Sequence, residues 1–105
     1  LMSLSTHVLD AVNGRPAAGV RVDWIFGSSV VTRETDTDGR IASWGASPAP
    51  GLHRHVFATG DWFAARGQRT FYPEVSVAFE IVDADAHHHV PLLLSPFAYS
   101  TYRGS

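Results

Sequence analysis

Apolar and polar residues alternate in short runs along most of the chain. Over residues 20–26, Val20, Val22, Trp24 and Phe26 are interleaved with Arg21, Asp23 and Ile25, close to the period-two pattern of a strand with one buried face. The longest such run covers residues 73–82, where Val75, Val77, Phe79 and Ile81 oppose Glu74, Ser76, Ala78 and Glu80. Further strands are predicted over residues 5–12, 29–35, 40–42, 53–58, 87–95 and 98–102, with Gly, Pro, Asp or Ser between them. Asn13-Gly14-Arg15-Pro16 supplies the turn that ends the first strand, and Asp36-Thr37-Asp38-Gly39 turns the chain just ahead of Arg40. A loop with two prolines covers residues 47–51, and Asp83-Ala84-Asp85 makes the last sharp turn.

One segment departs from this pattern. Asp61 is suited to cap a helix, and Trp62-Phe63-Ala64-Ala65-Arg66 follows as helix formers stopped by Gly67. About eight short strands and one short helix predict an all-β sandwich or barrel, not a fold with crossover helices. A length of 105 residues sets residues 1–105 as a single domain. A monomer of this size buries only roughly 60–70% of the surface its unfolded chain exposes, so association between copies is expected. The charged fraction of 17%, below the average of roughly 25%, agrees with surface hidden in such contacts. Leu1 stands ahead of Met2, and Met2 is expected to be the native start.

Charge narrows the choice of partner. The net charge is −2, and the eight cationic residues are all arginine, spread from Arg15 to Arg103 without a cluster. That argues against nucleic acid or an anionic membrane as partner. With no cysteine there is no disulfide, thiolate nucleophile or cysteine-based zinc site. No apolar run approaches the roughly 20 residues of a membrane span, and no secretory leader is visible. The expectation is a cytoplasmic protein.

The candidates for chemistry are few. His87-His88-His89 places three imidazoles, which titrate near neutral pH, in a row. On a strand, His87 and His89 would stand roughly 6.8 Å apart on one face while His88 points to the other. Such a run could be no more than a solvated hairpin end. Two histidines at this spacing could also hold zinc if a third ligand approached, but neither cysteine nor a carboxylate pattern completes such a set, and no metal or cofactor is expected. His7 on the first strand and Arg40 after its turn are, taken singly, of kinds that are usually structural or surface residues. His53 and His55 alternate around Arg54 and read as ordinary strand surface. The final Tyr102-Arg103-Gly104-Ser105 would ordinarily fray.

Together these signals look different. Leu4-Ser5-Thr6-His7-Val8-Leu9-Asp10 with Gly14-Arg15-Pro16-Ala17, and Thr37-Asp38-Gly39-Arg40, resemble the N-terminal and arginine-turn signatures of the 5-hydroxyisourate hydrolases, the transthyretin-like family of purine catabolism. Phe57-Ala58-Thr59-Gly60-Asp61-Trp62-Phe63 and Thr70-Phe71-Tyr72-Pro73-Glu74-Val75 are similar to its strand-helix-strand unit. The run from His89-Val90-Pro91-Leu92-Leu93-Leu94-Ser95-Pro96-Phe97 to Tyr99-Ser100-Thr101-Tyr102-Arg103-Gly104-Ser105 resembles its C-terminal signature. The match covers nearly the whole chain.

The resemblance implies a transthyretin-like two-sheet β-sandwich that pairs edge to edge, two dimers forming a homotetramer around a channel. It implies hydrolysis of the ring amide of 5-hydroxyisourate without a metal, at sites where the dimers meet. Carried over by motif, His7, Arg40, His89 and Ser105 are the catalytic positions, and His87, Tyr102, Arg103 and Gly104 shape the pocket for substrate. Ser105 would act through its hydroxyl or a terminal carboxylate. His88 departs from the family, which usually carries an aromatic such as tyrosine there, and leaves the substrate range near that edge open.

Overall fold

The computed structural model describes residues 4–105; the expected start at Met2 lies outside the described residues. Nine strands and one helix follow in the order β1 (Leu4–Asp10), β2 (Arg15–Pro16), β3 (Arg21–Phe26), β4 (Ser29–Glu34), β5 (Arg40–Ile41), β6 (Gly51–Phe57), α1 (Thr59–Ala64), β7 (Val75–Ile81), β8 (His88–Ser95) and β9 (Ala98–Thr101). They form two sheets, one ordered β2-β1-β8-β9 with β5 also paired to β1, the other ordered β4-β3-β6-β7. The inward sets of both meet in one core, with Leu4, Val8, Leu92 and Leu94 from the first sheet against Val22, Trp24, Phe57 and Val75 from the second. Each fully buried large side chain of this kind contributes roughly 1.5–3 kcal/mol relative to exposure. The all-β, two-sheet expectation therefore holds, and the alternation that predicted β3 and β7 is the alternation of their burial.

Local differences have tertiary causes. Arg15 and Pro16, read as part of a turn, instead pair with Asp10 and Leu9 as the short strand β2. Asp61 is not the helix cap: α1 begins at Thr59 after Ala58, which makes no side-chain cap bond, and Asp61 falls in its first turn. The early start is set by the chain next to it, because the Gly60 N–H donates to the Pro73 carbonyl at 2.9 Å. A Cβ on Gly60 would lie 2.5 Å from that oxygen, so only glycine permits the approach. The same contact occupies Pro73, and β7 starts only at Val75.

The largest correction concerns β6. His53 and His55, read as strand surface, are 1% and 0% exposed. Pairing of Trp24 with His55 on one side and of Val77 with His55 on the other fixes the register. Phe57, two residues further along, needs the interior, and period two then sends His55 and His53 inward with it.

One strand register matters most for function. β1 and β8 are parallel, with Ser5 opposite His89 and His7 opposite Pro91, while β5 pairs antiparallel on the other side of β1 and sets Arg40 opposite His7. Directly paired residues share a face of the sheet. Leu4, Thr6 and Val8 point into the core, so Ser5, His7, Arg40 and His89 emerge together on the opposite, outer face.

Candidate active site

The Arg40 corner is built by local chemistry. Asp36 accepts the backbone N–H of Asp38 and of Arg40 on Oδ1, each at 2.9 Å. Gly39 adopts φ 74°, a left-handed conformation that favours glycine, and its carbonyl accepts the Val8 N–H at 2.7 Å. The turn is thereby fastened to β1 and delivers Arg40 beside His7. His7 is oriented by the same turn: its Nε2–H donates to the Asp38 carbonyl at 2.9 Å. A carbonyl only accepts, so the neutral His7 ring keeps its lone pair on Nδ1.

Across β1, the histidine run divides as alternation requires. His87 and His89 have near-parallel rings with centroids 6.3 Å apart, close to the separation expected for i and i+2 on a strand. His88 turns the other way into the interior, where it is buried and its Nδ1 has no hydrogen-bond partner. Ser5, 7% exposed, stands between the outer pair, with Oγ 2.7 Å from Nδ1 of His89 and 3.2 Å from Nε2 of His87. Thr6 ties the two strands from below by donating to the Val90 carbonyl at 2.6 Å.

A cavity of about 260 Å³ opens above this face, lined by Ser5, Thr6, Arg40, Ala42, His87, His89 and Ser105. Burial first, then the charges of Arg40, His7 and His87, hold the His89 imidazole below its ordinary pKa, against a backbone hydrogen bond at Ser5 that acts in the opposite direction. His89 is consequently a neutral base near pH 7. The cavity thus combines a permanent cation, two imidazoles and the hydroxyls of Ser5 and Ser105, groups that can serve water attack on a carbonyl.

The C-terminal segment does not fray. The Gly104 N–H donates to the His89 carbonyl at 2.8 Å, forming an isolated antiparallel bridge. A Cβ there would come within 2.5 Å of the His89 ring carbon Cδ2, so the missing side chain lets the tail lie against the imidazole. Ser105 then reaches the cavity. Tyr102 and Arg103 do not line it; they border a neighbouring cleft of about 220 Å³ with Val77, Phe79, His88 and the far side of His89. The expected residues accordingly fall into two groups that share His89: His87, Arg40 and Ser105 line the first cavity and Tyr102 and Arg103 the second, while His7, paired with Arg40, is not among the residues that line either. Among the described residues no group of three His, Asp or Glu side chains is placed to hold a metal ion.

Ser5 was missed as a site residue from sequence. The signal was its position two residues before His7, which places both on one face of a strand. Its bearing on His89 depends on the pairing of β1 with β8, and nothing near Ser5 in the chain announces that.

Comparison with known proteins places this geometry in context. The model of the HIUase/Transthyretin family matches residues 4–104. The 5-hydroxyisourate hydrolase of Salmonella typhimurium is 46% identical over 112 residues, covering 97% of this chain and 80% of that protein. Among solved structures, Klebsiella pneumoniae 5-hydroxyisourate hydrolase superposes with a TM-score of 0.89 at 37% identity, covering 99% of this chain and 94% of the other. Sea bream transthyretin in complex with thyroxine superposes with a TM-score of 0.86 at 28% identity, covering 96% and 93%.

Proposed function

The chain belongs to the HIUase/Transthyretin family, and from that premise we propose that it is a 5-hydroxyisourate hydrolase. The observation that carries the proposal is the convergence of Arg40, His87, His89 and Ser105 on one cavity, with His7 paired beside Arg40. In this reading water attacks the ring amide carbonyl, the C–N bond breaks, and the product is 2-oxo-4-hydroxy-4-carboxy-5-ureidoimidazoline. His89, held neutral by burial and by neighbouring charge, takes the proton of the attacking water, help worth about 10²–10⁴ in rate. Arg40 binds the carbonyl edge and the oxyanion that develops there. His89 then passes that proton to the leaving nitrogen as the C–N bond breaks, His7, fixed on the Asp38 carbonyl, holds the substrate beside Arg40, and the Ser105 hydroxyl orients the water. Tyr102 and Arg103 act from the adjoining cleft, and Gly104 sets the closeness of the tail to His89. The reaction uses no metal or cofactor, so it proceeds in the presence of a strong chelator.

Residues 1–105 make up one hydrolase domain in this reading, working as a cytoplasmic homotetramer whose sites lie where dimers meet. The exposed edge strand β9 and the exposed aromatics Phe97, Tyr99 and Tyr102 are suited to such contacts. The likeness to a thyroxine-bound transthyretin raises a carrier as the second reading. A charged arginine and several imidazoles serve hydrolysis and would burden a site for an apolar ligand. The deciding experiment generates 5-hydroxyisourate in place from urate and follows its absorbance decay with and without the protein. Acceleration above the spontaneous rate is expected; an unchanged decay rules out the hydrolase.

A further inference from the structure

A serine hydroxyl carries one proton and can give it away only once. Ser5 Oγ nevertheless faces two ring nitrogens, Nδ1 of His89 at 2.7 Å and Nε2 of His87 at 3.2 Å. The oxygen accepts as well as donates, so at most one of the two nitrogens takes the hydroxyl proton and at least one ring must donate an N–H to the oxygen. The tautomers of the two histidines are therefore coupled through a side chain that lies outside the set carried over by family resemblance.

Besides an arrangement in which both rings donate and the hydroxyl proton goes to neither nitrogen, two arrangements satisfy this constraint. In the first, Nδ1–H of His89 donates to Ser5 and Ser5 donates to Nε2 of His87, leaving a lone pair on Nε2 of His89. In the second, every proton is reversed and His89 turns an N–H toward the cavity. The permanent charge of Arg40 lines that cavity together with His89. A lone pair facing a cation is attracted and an N–H facing it is repelled, so the first arrangement is favoured.

We propose that Ser5 is a positioning residue, whose hydroxyl, bridging His89 to His87, holds His89 in the tautomer that presents a bare Nε2 to the cavity. This rests on the reading of the cavity as a hydrolase site, with His89 as the base. When Nε2 takes a proton from water, the Nδ1 proton already has its acceptor in Ser5, and Ser5 has its own in His87, so no group has to turn. His87 acts through Ser5 and serves as the reference that gives the hydroxyl its direction. Loss of a neutral hydrogen bond of this kind, worth about 0.5–1.5 kcal/mol, corresponds to a rate loss of about two- to tenfold.

The test is nitrogen-15 NMR of histidine-ring-labelled protein at neutral pH, with His89 assigned from the signals lost in His89→Gln, alongside hydrolysis kinetics. In the unaltered protein His89 is expected protonated on Nδ1 and bare on Nε2. Ser5→Ala is expected to give mixed tautomers and a kcat lower by about two- to tenfold with KM nearly unchanged, whereas Ser5→Thr, which keeps a hydroxyl, restores both. A proton on Nε2 of His89 in the unaltered protein overturns the proposal, and that spectrum decides the matter whether or not the variants fold. An unchanged tautomer and kcat in Ser5→Ala overturn it equally. A protein that shows the expected tautomer yet does not accelerate 5-hydroxyisourate decay supports the bridge and overturns the hydrolase reading, so the two ideas fail separately.

Discussion

Two histidine pairs stand at the same i, i+2 spacing in this protein, His53 with His55 on β6 and His87 with His89 at the head of β8, and they meet opposite surroundings. The β6 pair faces inward. His53 stacks on Phe26 at 4.2 Å between ring centroids, accepts Trp24 Nε1–H on Nδ1 at 3.0 Å and donates from Nε2 to the Ala49 carbonyl at 2.7 Å. His55 lies among Trp44, Phe57 and Phe79, and neither of its nitrogens has a partner. Burial, and then the charge of His53, pushes the His55 imidazole down to about 3. The β8 pair faces a cavity, bridged by a serine hydroxyl and accompanied by an arginine. An imidazole, then, has no fixed role. In a dry aromatic shell it is a neutral, space-filling ring, and at a wet cavity wall with a hydrogen-bonded back nitrogen it is equipped to move protons.

The comparison breaks if the wrong pair supports turnover. Arg40→Ala should lower hydrolysis by about 10²–10³, the usual loss of one oxyanion donor, and His89→Ala by at least about tenfold. Both should leave the unfolding curve nearly unmoved, because neither side chain belongs to the core. Either variant retaining full activity removes that residue from the mechanism.

The inward pair should register in stability instead. His53→Leu strands Trp24 Nε1 and the Ala49 carbonyl, and each unpaired buried group costs about 1–3 kcal/mol. A total loss of roughly 2–6 kcal/mol is expected in urea unfolding, with hydrolysis per folded molecule retained at low temperature. A large loss of turnover with little change in stability would show that this pair, too, belongs to the chemistry.

His55 sharpens the comparison through pH. An unfolded chain protonates this imidazole near its ordinary 6.5, whereas the folded chain resists until about 3. Between those values the unfolded state binds the extra proton, so stability falls as pH falls through that window, by an amount on the order of a few kcal/mol. His55→Leu, which removes two unpartnered nitrogens, should flatten this decline while leaving stability near pH 7 unchanged or slightly raised. Denaturant midpoints at pH 7 and pH 4.5 measure both; an acid sensitivity identical to that of the unaltered protein would sink the assignment.

The smallest effect is expected at Gly104. A methyl group there would press on Cδ2 of His89 and should lower kcat several-fold, about 1 kcal/mol in the barrier. Folding should hardly respond, since the contact is an isolated bridge outside the strands. Stopped-flow kinetics on Gly104→Ala resolves this, and unchanged kcat would mean that the tail and the imidazole are not mechanically coupled.

Much of the fold was legible in the chain. Alternation at Val20, Val22, Trp24 and Phe26, and again from Val75 to Ile81, reports a half-buried strand because side chains point to opposite faces at each step. The Asp36 to Gly39 turn was legible because its hydrogen bonds close within four residues. Asp61 misled because a good capping residue is only a local preference, and the Gly60 to Pro73 contact outweighed it. His53 and His55 misled because polarity suggested surface, although Phe57 at the same parity already pointed inward.

By itself, the sequence determined which segments would be strands, where they would turn and which family signatures they carry, since each is written in neighbouring residues. Only the tertiary structure decided that Ser5 meets His89, 84 positions along the chain, that Trp24 finds His53, 29 positions along, and that Tyr102 and Arg103 line a different cavity from Arg40. Those contacts follow from the register of one strand against another. Register is settled by the packing of whole apolar faces, and a slip of β8 by a single residue would turn His88 to the cavity and His87 and His89 toward the core.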